Sequence, residues 1–190
     1  MATIIYWFDP IVGFLSARKN KGGFIIVVRL SKIVLVMAIA FFATLVVIGN
    51  ITDYQTNFKF VYHVLRMDTV FPDAGIKYRQ INSPTLVYGS YLFIILLELI
   101  TAGLCWLGSL TLLKNIKKSS AIFNHKKWIA ITGLTIGFLV WQVGFMSIGG
   151  EWFGMWMSRQ WNGVPDAFRF FITICLVLIY VTMPDHDTDD

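Results

Sequence analysis

The sequence predicts an all-α integral membrane protein: four transmembrane helices, with short amphipathic helices in the loops on one side. Three observations predict it. Charged residues are only 14% of the 190, against roughly 25% in soluble domains. Apolar residues make up 56% and fall in blocks near the ~20 residues that a helix needs to cross a hydrocarbon core. Aromatic residues reach 16%, with seven Trp, and Trp and Tyr rings favour the membrane–water interface. The mean hydropathy of +0.66 agrees. A net charge of +5 in a soluble chain would suggest nucleic acid. Here the basic residues sit beside apolar blocks, so topology and anionic lipid account for them and no nucleic-acid partner is expected.

Residues 1–28 form a lead. Thr3 to Leu15 is apolar but interrupted by Asp9-Pro10 and Gly13. It is too short to span and is expected to lie flat on the membrane surface. Arg18, Lys19 and Lys21 follow and would face anionic head groups. The first basic residue comes late and no small-residue cleavage site follows the first long apolar run, so the lead does not read as a signal peptide.

The membrane domain is 29–184, with spans at about 28–48, 84–113, 128–148 and 167–182. Arg29 and Lys32 open the first span and are expected to snorkel. Residues 50–83 make a long connection. Thr56 or Asn57 can cap a helix in which Phe58, Val61, Tyr62 and Leu65 form one apolar stripe, with Lys59, His63 and Arg66 off it. Phe71 to Gly75 reads as a turn. Ser83-Pro84 opens the second span cleanly, which is long enough to tilt or project. The third span carries no charge, and the fourth has Arg169 near its start. The first and fourth read as lipid-facing anchors. Residues 185–190 form an acidic tail expected to be disordered. Cys105 and Cys175, the only cysteines, lie inside apolar blocks and read as packing residues.

Ten Lys and Arg precede or open the first span or lie between the second and third; the other six are spread over the opposite side. The positive-inside rule then places both termini in the cytoplasm and the long loops outside.

Glu98 is the one charge midway along the second span, where a carboxylate costs about 2.5–3.5 kcal/mol on insertion scales. It needs a partner, a proton or an inward position. A proton relay or a polar ligand contact is one reading; a carboxyl that locks helix packing is the favoured one. Gly133, Gly137 and Gly144 share a face of the third span and suit close helix packing. Glu151, Trp152, Trp156, Arg159 and Trp161 form an outward cap suited to lipid head groups, a partner protein or a flat ring such as a quinone. Trp152 and Trp156 can share a helical face, and Glu151 can pair with Arg159. His63 and Met67 are the one pair spaced to hold haem iron or copper, though an exposed polar helix face explains them as well. No metal cluster, catalytic residue or nucleotide loop stands out.

Several segments together resemble a known family. They are Asn50-Ile51-Thr52-Asp53-Tyr54, Asn57-Phe58, Phe60-Val61, His63-Val64-Leu65, Met67-Asp68-Thr69, Ile81-Asn82-Ser83-Pro84, Gly149-Gly150-Glu151-Trp152-Phe153 and Trp161-Asn162-Gly163. The chain resembles, from about 30 to 184, a family of bacterial predicted small integral membrane proteins of unknown function. The resemblance implies four spans in a bacterial cytoplasmic membrane and supplies no activity. The expectation is therefore a non-enzymatic accessory or scaffold subunit of an inner-membrane complex, in contact with lipid and other membrane subunits and without a cofactor. The alternatives are a small redox subunit that binds quinone or haem, using Glu98, His63 and the Trp cap, and a small transporter.

Overall fold

The computed structural model describes the backbone of residues 9–187 and the side chains of residues 22–187. Its helices are α1 (Asp9–Thr52), α2 (Tyr54–Arg66), α3 (Pro84–Lys114), α4 (Ser120–Lys126), α5 (Trp128–Leu139) and α6 (Val164–Thr182). α5 continues without a break as a π-helix over Val140–Trp152. Among the described residues there are no strands. Four helical stretches are long and apolar enough to cross a membrane: Gly22–Thr52, Pro84–Lys114, Ser120–Trp152 and Val164–Thr182. The chain is an all-α integral membrane protein.

The sequence makes this bundle by placing a buried stripe and a lipid-facing stripe on each helix. On α1 the buried side is Ile33, Val36, Ala40, Ala43 and Val47, while Val34, Phe41, Leu45 and Ile48 face outward. Spacings of three and four keep such residues on one side of a helix. On α3 the buried side is Val87, Tyr91, Glu98, Cys105 and Leu112, and Phe93, Leu96, Leu107 and Leu110 are exposed. An exposed surface built of Leu, Ile and Phe suits lipid, because every backbone group is satisfied inside its own helix.

Small residues bring α3 and α5 together. A Cβ on Gly108 would lie 2.6 Å from the Ala130 backbone, and one on Gly133 would lie 2.9 Å from the Cys105 nitrogen. Gly137 meets Thr101 at 2.8 Å in the same way. Gly133 and Gly137 therefore form a packing seam, joined by Gly108, which the spacing in the third span alone does not reveal. Gly144 is not part of it: a Cβ there meets nothing within 4 Å. The bonding switches to i→i+5 at Val140, and this wider winding turns less per residue. Seven residues beyond Gly137 the chain has rotated off the seam.

The lead and the tail differ from expectation. Residues 3–8 of the stretch expected to lie on the surface are outside the described residues, as are the side chains of Arg18, Lys19 and Lys21. From Asp9 the backbone is helical through Thr52, with Pro10 in the first turn where its missing N–H costs nothing. Arg29 and Lys32 do not snorkel outward. Both are buried and turn into the bundle, so α1 is more than a lipid-facing anchor. The tail residue Asp185 is also buried, between Lys32 and Lys127. At least as far as Asp187 the acidic segment is docked: Asp187 accepts hydrogen bonds from the Ser120 backbone and hydroxyl.

At the opposite end, residues 53–83 and 149–163 fold over the bundle as a cap with its own core. Val61, Val64, Leu65, Met67, Val70, Phe153 and Met155 pack there on Val87 and Tyr91 of α3. α2 is the expected amphipathic helix, but it starts at Tyr54 rather than after a Thr56 or Asn57 cap. The Asn57 amide instead donates back to the Gly49 and Asp53 carbonyls, each of which also accepts a backbone N–H, and so ties the start of α2 to the end of α1.

Candidate functional site

The apolar stripe of α1 ends in Asn50, one helical turn past Val47. Its side-chain amide donates to Glu98 Oε2 at 2.7 Å, and its backbone carbonyl accepts from the Tyr91 hydroxyl at 2.9 Å. Tyr91 and Glu98 are seven residues apart on α3, two turns on one face. So three residues from two spans make a polar contact inside the bundle, just below the cap. Glu98 thus has its partner in the chain itself. Its Oε1 takes no hydrogen bond from a side chain or backbone among the described residues.

Glu98 faces a chamber of about 220 Å³ whose wall also includes Asn50, Asn57, Tyr91, Trp141 and Asp166. A larger chamber of about 600 Å³ adjoins it. The two share Phe60, Val61, Ile94 and Phe145. The larger chamber is apolar and lies between α2, α3 and the π-helix. Its rim residues Phe93, Leu139, Val143 and Ile148 are exposed on the outer apolar surface, so it opens sideways, where lipid would be. Gly144 lines this chamber. π-helical turns are rare and often mark functional sites; this one sets the chamber's far wall.

The cap residues do not converge on the chambers. Glu151, Trp152, Trp156 and Arg159 are exposed. Trp152 and Trp156 do not share a helical face, because Gly154 takes φ +65 between them and Met155–Met157 is a 3-10 turn. The Arg79 guanidinium lies over Trp152, 4.3 Å from the ring centroid, and Trp156 meets Phe71 edge-on. Arg159 forms no ion pair with Glu151. Trp161 stacks on His63 with centroids 4.6 Å apart. His63 Nδ1 bonds the Asp68 carboxylate at 2.9 Å, and Met67 is buried in the cap core at φ 52, ending α2. The pair His63 and Met67 is therefore split: one ring is held by Asp68 and Trp161, and the thioether is packed away. Among the described residues no group of three His, Cys, Asp or Glu is placed to hold a metal.

The other polar cluster lies at the far end of the bundle. Lys32 Nζ donates to the Met183 carbonyl at 2.7 Å and to Asp185 Oδ2 at 2.8 Å. Lys127 Nζ donates to the same carbonyl and pairs with the same carboxylate. Arg29 Nη1 donates to the Ile116 and Lys118 carbonyls, with its guanidinium 4.7 Å from the Phe123 ring centroid. Burial works against the charge on Asp185, but hydrogen bonds and attraction from Lys127 and Lys32 outweigh it and hold the carboxyl below its usual range. Hydrogen bonds from Ser120 do the same for Asp187.

Comparison with known proteins fits this architecture. Residues 28–184 match the family described as predicted small integral membrane protein (DUF2165). The chain belongs to that family. No curated protein and no solved structure matches it. The match to this DUF2165 family covers the first span from residue 28, the other three whole, the cap and both chambers, together with Arg29, Lys32 and Lys127. It stops one residue before Asp185.

Sequence reasoning found Glu98 and missed its partners. Asn50 reads in sequence as part of the polar break closing the first span. The only signal for its inward position is that it continues the three–four spacing of Val36, Ala40, Ala43 and Val47. Nothing local marks Asp185 as buried.

Proposed function

We propose that this protein holds an amphipathic, lipid-soluble molecule of the quinone type. Its hydrogen-bonding head would lie in the Glu98 chamber and its apolar tail in the larger one. The observation that carries this reading is that a polar chamber and an apolar one lie side by side, with Phe60, Val61, Ile94 and Phe145 common to both linings. The larger volume is within the roughly 300–1,000 Å³ of small-molecule sites. A quinone ring offers carbonyl acceptors to a protonated Glu98 or to an amide of Asn50, and an isoprenoid chain matches the apolar walls. The lateral opening gives such a molecule a route from the bilayer. Any redox chemistry would be the ligand's own. His63, outside both linings, gives haem no support here.

The test is direct. Protein purified in mild detergent is extracted with organic solvent and the extract examined by mass spectrometry. A quinone-type molecule near one per chain is expected, and much less from Val143→Trp, which fills the larger chamber. Only bulk phospholipid, in equal amounts from both proteins, refutes the reading.

A second reading, an accessory subunit of a larger membrane complex, is favoured by the cap. Phe71, Tyr78, Trp152 and Trp156 are all exposed there, and aromatic residues are enriched at interface cores. A defined partner that co-purifies with the wild-type chain and is lost with Trp152→Ser plus Trp156→Ser supports it; loss of neither partner nor yield in the double variant removes it. The bias of Lys and Arg toward the Arg29 end supports placing that end in the cytoplasm of a bacterial cell, with the cap outside.

A further inference from the structure

Among the described residues, the buried cluster at the Arg29 end is not balanced by what touches it. Three cations converge there: Arg29, Lys32 and Lys127, each 2% exposed. Among the described residues, two carboxylates answer them, Asp185 inside and Asp187 at the rim. Among the described residues that is three cations to two carboxylates, and an uncompensated charge in a buried place is costly.

Arg29 also has unused donors. Its Nε and Nη2 are buried and have no hydrogen-bond partner among the described residues. Asp185 Oδ1 lies 3.9 Å from Nε and Asp187 Oδ1 lies 3.6 Å from Nη2. At those distances the carboxylates attract the guanidinium without bonding it. Nε and Nη2 form the edge that binds carboxylate or phosphate in a bidentate fork, and neither carboxylate engages it at hydrogen-bond distance.

We infer that Arg29, Lys32 and Lys127 form a site for a phosphate-bearing anion, the head group of an acidic lipid, and that residues 185–187 occupy it as an internal substitute. The location favours a lipid source. The cluster lies at the end of the bundle where α3 stops, α5 begins and α6 stops, among the basic residues that the positive-inside rule places beside anionic head groups. The three cations lie within the segment matched to the family, and the carboxylates that neutralise them lie beyond it. A phosphate there would reach the Arg29 fork and both ammonium groups and set negative charge against all three cations. The tail and the lipid then compete, and each weakens the other's binding by the same factor.

Hydrogen exchange of the backbone of residues 185–187 reads this competition. The Asp185 amide is protected in the closed form by its bond to Asn124 Oδ1. The full chain is placed in nanodiscs of pure phosphatidylcholine, of phosphatidylcholine with phosphatidylglycerol, and of pure phosphatidylcholine with added inorganic phosphate. Tail exchange is expected to rise about fivefold or more with phosphatidylglycerol and to stay unchanged with inorganic phosphate. Arg29→Gln should abolish the rise. Asp187→Asn, on an exposed residue that leaves the fold intact, should lower the amount of phosphatidylglycerol needed. Equal exchange in all lipids, or the same lipid response in Asp187→Asn as in the wild type, overturns the inference. A rise with inorganic phosphate but not with phosphatidylglycerol overturns the lipid assignment.

Discussion

Glu98 shows how a carboxyl can be tolerated in a span. It sits on the buried face of α3, and Asn50 from α1 donates to one of its oxygens. The other takes no hydrogen bond among the described residues, and Glu98 lines the small chamber. This predicts unequal effects for two substitutions. Glu98→Gln keeps the shape and an oxygen for the Asn50 amide and should change stability little. Glu98→Leu leaves that amide buried without its acceptor and should cost about 1–3 kcal/mol. Unfolding in a mixed-detergent titration measures the difference; equal midpoints for both variants would show that the bond contributes nothing. The sequence singled out Glu98 because one charge among so many apolar residues is conspicuous. It did not show Asn50, because an Asn closing a span looks the same whether it faces water or a carboxyl.

At the scale of elements, the glycines separate into two kinds. Gly108→Val and Gly133→Val push side chains into the α3–α5 seam, where even a Cβ is too close, and each should cost about 1–3 kcal/mol or more. Gly144→Ala enters open space and should stay within about 0.5 kcal/mol. A detergent unfolding series ranks the three, and a Gly144→Ala as harmful as Gly108→Val would mean that the π-helix does not carry Gly144 off the seam. The spacing of glycines made the packing face of the third span legible as far as Gly137. It failed beyond because a switch from α to π winding leaves no mark in a chargeless apolar run.

The C-terminal latch is the other element with a sharp consequence. The carboxyl of Asp185 is held below its usual range, chiefly by Lys127 and Lys32 acting against its burial. A depressed folded-state pKa gives stability that is present above the unfolded value of about 3.9 and is lost as pH falls through the folded one. Wild type should therefore exceed Asp185→Asn in melting temperature by a constant margin from neutral pH down to about pH 4, and the margin should shrink toward zero below that. A margin that grows on acidification would contradict the pairing. Composition marked this tail as disordered, since acidic residues beside Pro184 carry no apolar signal. What docks it is a set of buried cations that lie more than fifty residues away along the chain, and no local pattern reports them.

For the whole molecule, four spans, the cap and the order of the helices were all legible, since each rests on long apolar runs and one clear amphipathic stripe. The chambers were not, because they arise where α2, α3 and the π-helix, with α1 and α6 around the smaller one, fail to fill the space between them. The proposed quinone-type ligand needs the two chambers to act as one amphipathic site. Trp141 in the wall of the polar chamber makes it measurable. A short-chain benzoquinone titrated into the detergent-solubilised protein should quench Trp fluorescence saturably. Trp141→Phe should remove most of that signal, and Glu98→Leu and Val143→Trp should each weaken binding about tenfold or more, the loss of roughly 1.4 kcal/mol. Quenching that is linear in ligand, or equal in all four proteins, would contradict the account.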